Sequence, residues 1–180
     1  QYGTNFLTVM PTNLYGPGDN YDLQTAHVLP ALIRKMHEAK ERGDPEVIVW
    51  GTGRPRREFL HSDDMADACV MLMSLEEVAF KEQTQRYPPL LNIGWGADLT
   101  VHELAQLAAK VVGFTGSLRF DASKPDGTPR KLLDVARISA LGWRPGVPLE
   151  AGIALAYGDF LARPAHSRSP GLPKARRMNE

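Results

Sequence analysis

The sequence predicts an α/β fold built on a largely parallel sheet. Short β-prone apolar runs alternate with longer segments whose apolar residues recur at helical spacing, and the turns between them are rich in Gly, Pro, Asn and Asp. Composition agrees: the 180 residues are 43% hydrophobic and 23% charged, ordinary values for a globular chain with a core of useful size.

Residues 6–10, FLTVM, read as a strand that Pro11 interrupts, followed by a loop of Pro, Gly, Asn, Asp and Tyr. In H27-V-L-P-A-L-I-R-K-M-H-E-A-K40, Leu29, Leu32, Ile33 and Met36 fall on one stripe, which predicts a helix with Pro30 tolerated in its first turn. Residues 47–50, VIVW, read as a short buried strand and residues 59–61, FLH, as a weaker one. Met65, Ala68, Cys69 and Leu72 then recur at helical spacing, with Asp63 or Asp64 placed to cap. Residues 90–93, LLNI, form the next strand, and T100-V-H-E103 opens a helix as a capping box with Leu104, Leu107, Ala108 and Val111 as its stripe. Residues 117–120 read as a strand, and the last helix spans about 149–161 with Ile153, Tyr157, Phe160 and Leu161 inward. Beyond Pro164 the chain is basic, polar and Pro-rich without periodicity, so residues 163–180 are expected to form a disordered tail.

Charge narrows the function. With 21 basic and 21 acidic residues the net charge is zero, so no bulk field recruits nucleic acid or an anionic membrane, and anion recognition must be local. A single cysteine, Cys69, forms no internal disulfide, which suits a reducing cytoplasm. No apolar run is long enough to span a membrane, and the five histidines are scattered without metal-ligand spacing.

Parallel sheets bind ligands beyond the carboxyl ends of their strands, so the loops that follow strands are the places to look for chemistry. N13-L-Y-G-P-G-D-N20 reads either as a structural turn or as a ligand loop. In G51-T-G-R-P-R-R-E-F-L-H-S-D-D64, Arg54, Arg56 and Arg57 are suited to gripping a phosphate, or else form a solvated basic loop, with Trp50 beside them to stack or to pack. G51-T-G53 lacks the third glycine and the helix start of a dinucleotide fingerprint. D121-A-S-K-P-D-G-T-P-R-K131 offers Asp126 for sugar hydroxyls and Lys124, Arg130 and Lys131 for phosphate, and is equally a polar turn by composition.

Four stretches together resemble the GDP-L-fucose synthase family, a branch of the extended short-chain dehydrogenases/reductases. They are M10-P-T-N-L-Y-G-P-G-D-N20, A26-H-V-L-P-A-L-I-R34, V49-W-G-T-G-R-P-R-R-E-F-L-H-S-D-D-M-A66 and F120-D-A-S-K-P-D-G-T-P-R-K-L-L-D134. The resemblance covers about residues 1–162; its R-E-F-L-H-x-D-D-M-A element is common among nucleotide-sugar epimerases, whereas K-P-D-G-T-P-R-K-L-L-D points to the fucose synthase branch. It implies the C-terminal part of a Rossmann-like enzyme: the substrate-binding region plus the last strands of the nucleotide-binding sheet. In this family the Gly-rich first turn and the catalytic Tyr-x-x-x-Lys lie before the P-T-N-L strand. None of the five tyrosines here is followed four residues later by lysine. The chain alone is therefore expected to be inactive as a reductase and, with an unpaired sheet edge, poorly stable.

The resemblance further implies NADP(H) as cofactor, GDP-4-keto-6-deoxy-D-mannose as substrate, GDP-L-fucose as product and a homodimer as the working form. His27 matches the acid/base histidine, with a cysteine other than Cys69 as its partner. Pro11, Thr12, Asn13 and Leu14, with His27, match the segment along the nicotinamide, and Lys35, Trp50, Arg57 and Asp126 match positions that hold the GDP-sugar. Lys35 stands where relatives can carry arginine, and lysine keeps the charge but loses the planar fork; the resemblance assigns no role to Arg54 and Arg56. A related nucleotide-sugar epimerase or dehydratase with a different sugar, or a non-catalytic nucleotide-sugar-binding chain, is the alternative.

Overall fold

The computed structural model describes residues 6–85 and 88–163. In chain order they form β1 (Thr8–Pro11), β2 (Asn13–Tyr15), α1 (Val28–Arg42), β3 (Glu46–Trp50), β4 (Arg56–Arg57), β5 (Phe59–His61), α2 (Ser62–Met73) and α3 (Glu77–Thr84). They continue as β6 (Leu90–Ile93), β7 (Leu99–Thr100), α4 (Val101–Val112), β8 (Ser117–Asp121), β9 (Arg130–Lys131), α5 (Ala136–Ala140) and α6 (Leu149–Ala162).

The class is α/β, but the parallel strands pair off instead of forming one broad sheet. β1 runs parallel to β6, β2 to β5 and β3 to β8, while β4 lies between antiparallel β7 and parallel β9. The loop expected after Pro11 contains β2, because Thr12 donates its amide hydrogen to the Ile93 carbonyl and then lets the chain cross to pair with β5. β3 is buried on one face only: Val47 and Val49 point inward, while Ile48 is 40% and Trp50 65% exposed.

The helices follow their sequence signals with small corrections. Leu29, Leu32, Ile33 and Met36 are all buried, and α1 stops where Gly43 takes φ 71°, the left-handed conformation that lets its amide close the last turn. The Thr100–Glu103 capping box forms in both directions. Neither Asp63 nor Asp64 caps α2; the buried His61 ring does, accepting from the Asp63 amide. Asp64 instead accepts from the amides of Gly146 and Val147, tying α2 to the chain before α6. In α6, Ile153 and Phe160 are buried, but Leu161 is 44% exposed because it turns away from Tyr21 and α1.

Burial divides into two apolar clusters. One gathers α1, α4 and α6 around Val47, Val49, Phe59 and Tyr15. The other packs Leu60, Leu91 and Ile93 against Ala68, Leu72, Ile138 and Trp143. After α6, Arg163 donates to the Asp19 carbonyl and to Asp159. The expected tail otherwise lies outside the described residues. Among the described residues no helix is long and apolar enough to cross a membrane.

Candidate functional site

β3 and β8 end side by side, with Trp50 opposite Asp121, so the loops that leave them converge. Trp50 is therefore presented beyond the strand ends, with the Lys35 ammonium 5.2 Å and the Lys124 ammonium 5.7 Å from its ring centre. Lys35 reaches there from α1 and donates to the Ile48 carbonyl at 3.4 Å; its partial burial lowers its pKa below the usual lysine value. Gly51 follows with φ 84°, and a Cβ there would overlap Asp126 Oδ1, so only glycine brings this turn so close to the carboxylate.

Asp126 is held by its neighbour. Oδ1 accepts from the Thr52 amide at 2.8 Å and Oδ2 from the Thr52 hydroxyl at 2.6 Å, and these bonds hold its carboxyl below the usual range. Lone pairs remain on both oxygens for a hydroxyl. Arg57 lies alongside, with Nη2 2.9 Å from where a Gly127 Cβ would be, and Nη1 donating to the carbonyls of Arg56 and Thr128. Arg54 lines a hollow of about 150 Å³ with Asp126 and Gly127. Arg56 is not part of this group: its Nε donates to Asp98, which also accepts from Arg130, and those guanidinium bonds, Arg130 first, hold the Asp98 carboxyl low.

At the carboxyl end of β1 a separate pocket of about 360 Å³ lies between Pro11, Thr12 and Asn13 on one side and Lys131, Leu132 and Leu133 on the other. The Thr12 hydroxyl and the Asn13 side-chain amide both donate to the Glu58 carbonyl, at 3.2 and 2.6 Å. Leu14 and His27 do not line that pocket. Leu14 borders a smaller hollow of about 190 Å³ with Gly16, Asp19 and Ser62. His27 is exposed at the head of α1 and makes no side-chain capping bond, so its ring is free of helix duty. It lies close enough to Asp19 that its charge works against the burial that raises the Asp19 carboxyl.

The profile of the NAD dependent epimerase/dehydratase family matches residues 1–94. The chain belongs to that family. GDP-L-fucose synthase of Escherichia coli K12 is 55% identical over 161 residues, covering 89% of this chain and 50% of the relative. A solved GDP-6-OMe-4-keto-L-xylo-heptose reductase from C. jejuni superimposes with TM-score 0.79 at 36% identity, over 89% of this chain and 55% of the other. A GDP-L-fucose synthetase from Naegleria fowleri bound to NADP gives TM-score 0.74 at 30% identity, over 87% and 46%. This chain thus spans about half the length of the relatives it matches.

Within this family member, the sequence-derived residues fall into three groups: Lys35, Trp50, Arg57 and Asp126 at the β3/β8 end, Pro11 to Asn13 at the β1 end, and Leu14 and His27 toward Asp19. Sequence reasoning passed over Thr52, which orients Asp126, and Glu58, whose carboxylate is fully buried. The signal for Glu58 was its place beside Arg57 before a strand, where a buried charge demands partners that one sequence does not name.

Proposed function

We propose that this chain supplies the substrate-binding part of an NADPH-dependent epimerase and reductase that converts GDP-4-keto-6-deoxy-D-mannose to GDP-L-fucose in the cytoplasm. Residues 1–162 provide the substrate-binding region and the terminal strands of the nucleotide-binding sheet. The convergence of Lys35, Trp50, Arg57 and Asp126 on one strand end carries this reading: two cations for a diphosphate, an aromatic face, and a carboxylate for hydroxyls.

Carbon-bound protons next to a ketone are removable once the oxygen takes up the developing charge, and each centre is then reprotonated from the other face. That needs an acid/base group. His27, exposed and uncommitted to capping, is assigned the role, with the Asp19 carboxyl in its electrostatic neighbourhood. The residues of the β1 pocket fit a nicotinamide: Pro11 has no amide hydrogen, and Thr12 and Asn13 give their side chains to Glu58, which leaves a fixed wall beside an open space of about 360 Å³. When bound, NADPH supplies the hydride for the ketone carbon. The full-length enzyme acts as a homodimer in this reading, and residues 1–180 alone oxidise no NADPH.

A second reading, a reductase of another GDP-linked 4-keto sugar, draws on the likeness to the heptose reductase. Assaying NADPH oxidation with GDP-4-keto-6-deoxy-D-mannose and with a GDP-4-keto-heptose, on protein expressed at the full length of its relatives, separates the two. Turnover of the deoxyhexose alone is expected; turnover of the heptose alone selects the second reading.

A further inference from the structure

Glu58 is 0% exposed, and among the described residues no Lys, Arg or His nitrogen lies within 4 Å of its carboxylate. A buried carboxylate without a cation is costly and persists where specific donors hold it. Here the donors are backbone. Oε1 accepts from the Gly96 amide at 2.6 Å and Oε2 from the Leu133 amide at 3.0 Å. The carboxylate is seated so tightly on Gly94 that a Cβ at that position would overlap Oε1. The main chain of the same residue holds the facing wall, since its carbonyl accepts from Thr12 and Asn13.

One residue therefore binds three stretches of chain that are distant in sequence: the end of β1, the turn after β6 and the segment after β9. The first and third are the two walls of the 360 Å³ pocket. We propose that Glu58 is a positioning residue that sets the width of the pocket between Pro11–Asn13 and Lys131–Leu133, acting through the Leu133 and Gly96 amides on one side and through Thr12 and Asn13 on the other. The proposal rests on reading that pocket as the nicotinamide end of the cofactor site.

The chemistry makes glutamate necessary. Both oxygens must accept, so Glu58→Gln points an amide N–H at a backbone N–H on one side and leaves that donor unsatisfied in the interior. Volume is unchanged, so packing alone would not notice.

The test uses protein at the full length of its relatives, with NADPH and GDP affinities and melting temperature measured for the native form, Glu58→Gln and Gly94→Ala. Native protein binding NADPH, and Glu58→Gln binding it about tenfold more weakly with GDP affinity unchanged, is the expected result, because one stranded donor is worth roughly that factor. Gly94→Ala, which pushes the carboxylate off its seat without altering its charge, is expected to weaken NADPH in the same selective way and carries the test if Glu58→Gln does not fold. Unchanged NADPH affinity in the variants overturns the proposal while leaving the cofactor reading intact. Parallel loss of both ligands with a lower melting temperature overturns it in favour of a purely structural role. A native protein that binds GDP but no NADPH overturns the cofactor reading, and the proposal with it.

Discussion

The Lys35 ammonium lies 5.2 Å from the centre of the Trp50 indole, on a ring that is 65% exposed and also has Lys124 5.7 Å away. Among the described residues neither ammonium has a carboxylate within 4 Å, although Lys124 acts at longer range on Asp121. Trp50→Ala in the full-length protein is expected to weaken GDP binding about tenfold, since each cation–π pair contributes ~0.5–1 kcal/mol and the indole fixes both cations. Calorimetric titration with GDP checks it, and an affinity within twofold of native would show that the ring does not organise the site.

Burial lowers the pKa of Lys35, which gives a pH signature. As the pH rises through that lowered value, still below the usual 10.5, the ammonium discharges, and GDP affinity is expected to fall with it if Lys35 holds the diphosphate as proposed. For folding the sign is opposite: the buried charge costs stability at and below the lowered pKa, and that cost fades as the pH climbs toward 10.5. Lys35→Arg keeps its charge over this range, so GDP affinity in that variant should decline less between neutral and alkaline pH. Superimposable profiles for the two proteins would remove Lys35 from the binding site.

The two bonds from Thr52 to Asp126 make the 121–131 loop part of the strand end. Because these bonds depress the Asp126 carboxyl below 3.8, the tether is complete above that value and is lost only as the pH falls through the lower one. Asp126→Ala is expected to speed hydrogen exchange at the Thr52 amide at neutral pH and to weaken GDP-sugar binding. Exchange at Thr52 as slow as in the native chain would mean the loop is held by other contacts.

Much of this was legible in the sequence, and the misses share a cause. Helix α1 and its stripe, the Thr100–Glu103 box, and the strands at β3, β5, β6 and β8 follow from local periodicity and capping chemistry. β4, β7 and β9 are two residues each and exist because Arg56 and Arg57 find partners some 40 to 75 positions away, which no local pattern carries. His61 replaced the aspartates as the α2 cap because its ring is buried beside the Asp63 amide, a fact of packing. In the candidate site, residue types suggested Lys35, Trp50, Arg57 and Asp126. Their convergence required the parallel register of β3 with β8. For Arg56 the sequence left open a phosphate grip or a solvated loop, and its bond to Asp98, distant in sequence, is what sets it apart from Arg57.

Phe160 is 1% exposed, with its ring 4.8 Å from Tyr21 and 5.1 Å from His37, so it joins α6 to α1. Phe160→Ala is expected to lower stability by about 3–5 kcal/mol, against under about 1 kcal/mol for Leu161→Ala on the exposed side. Urea denaturation of the two variants beside the native protein tests the contrast, and equal losses would contradict the orientation of α6.

The most direct test of the functional reading is the rate of NADPH oxidation with GDP-4-keto-6-deoxy-D-mannose for full-length native protein and for His27→Gln. Glutamine keeps the polarity at the head of α1, where His27 makes no side-chain capping bond, but it cannot move a proton near neutral pH. The expected result is turnover by the native enzyme and a rate lower by about 10²- to 10⁴-fold in the variant, with GDP binding retained. Turnover by His27→Gln at the native rate, or a native enzyme that binds GDP and leaves this sugar untouched, would contradict it.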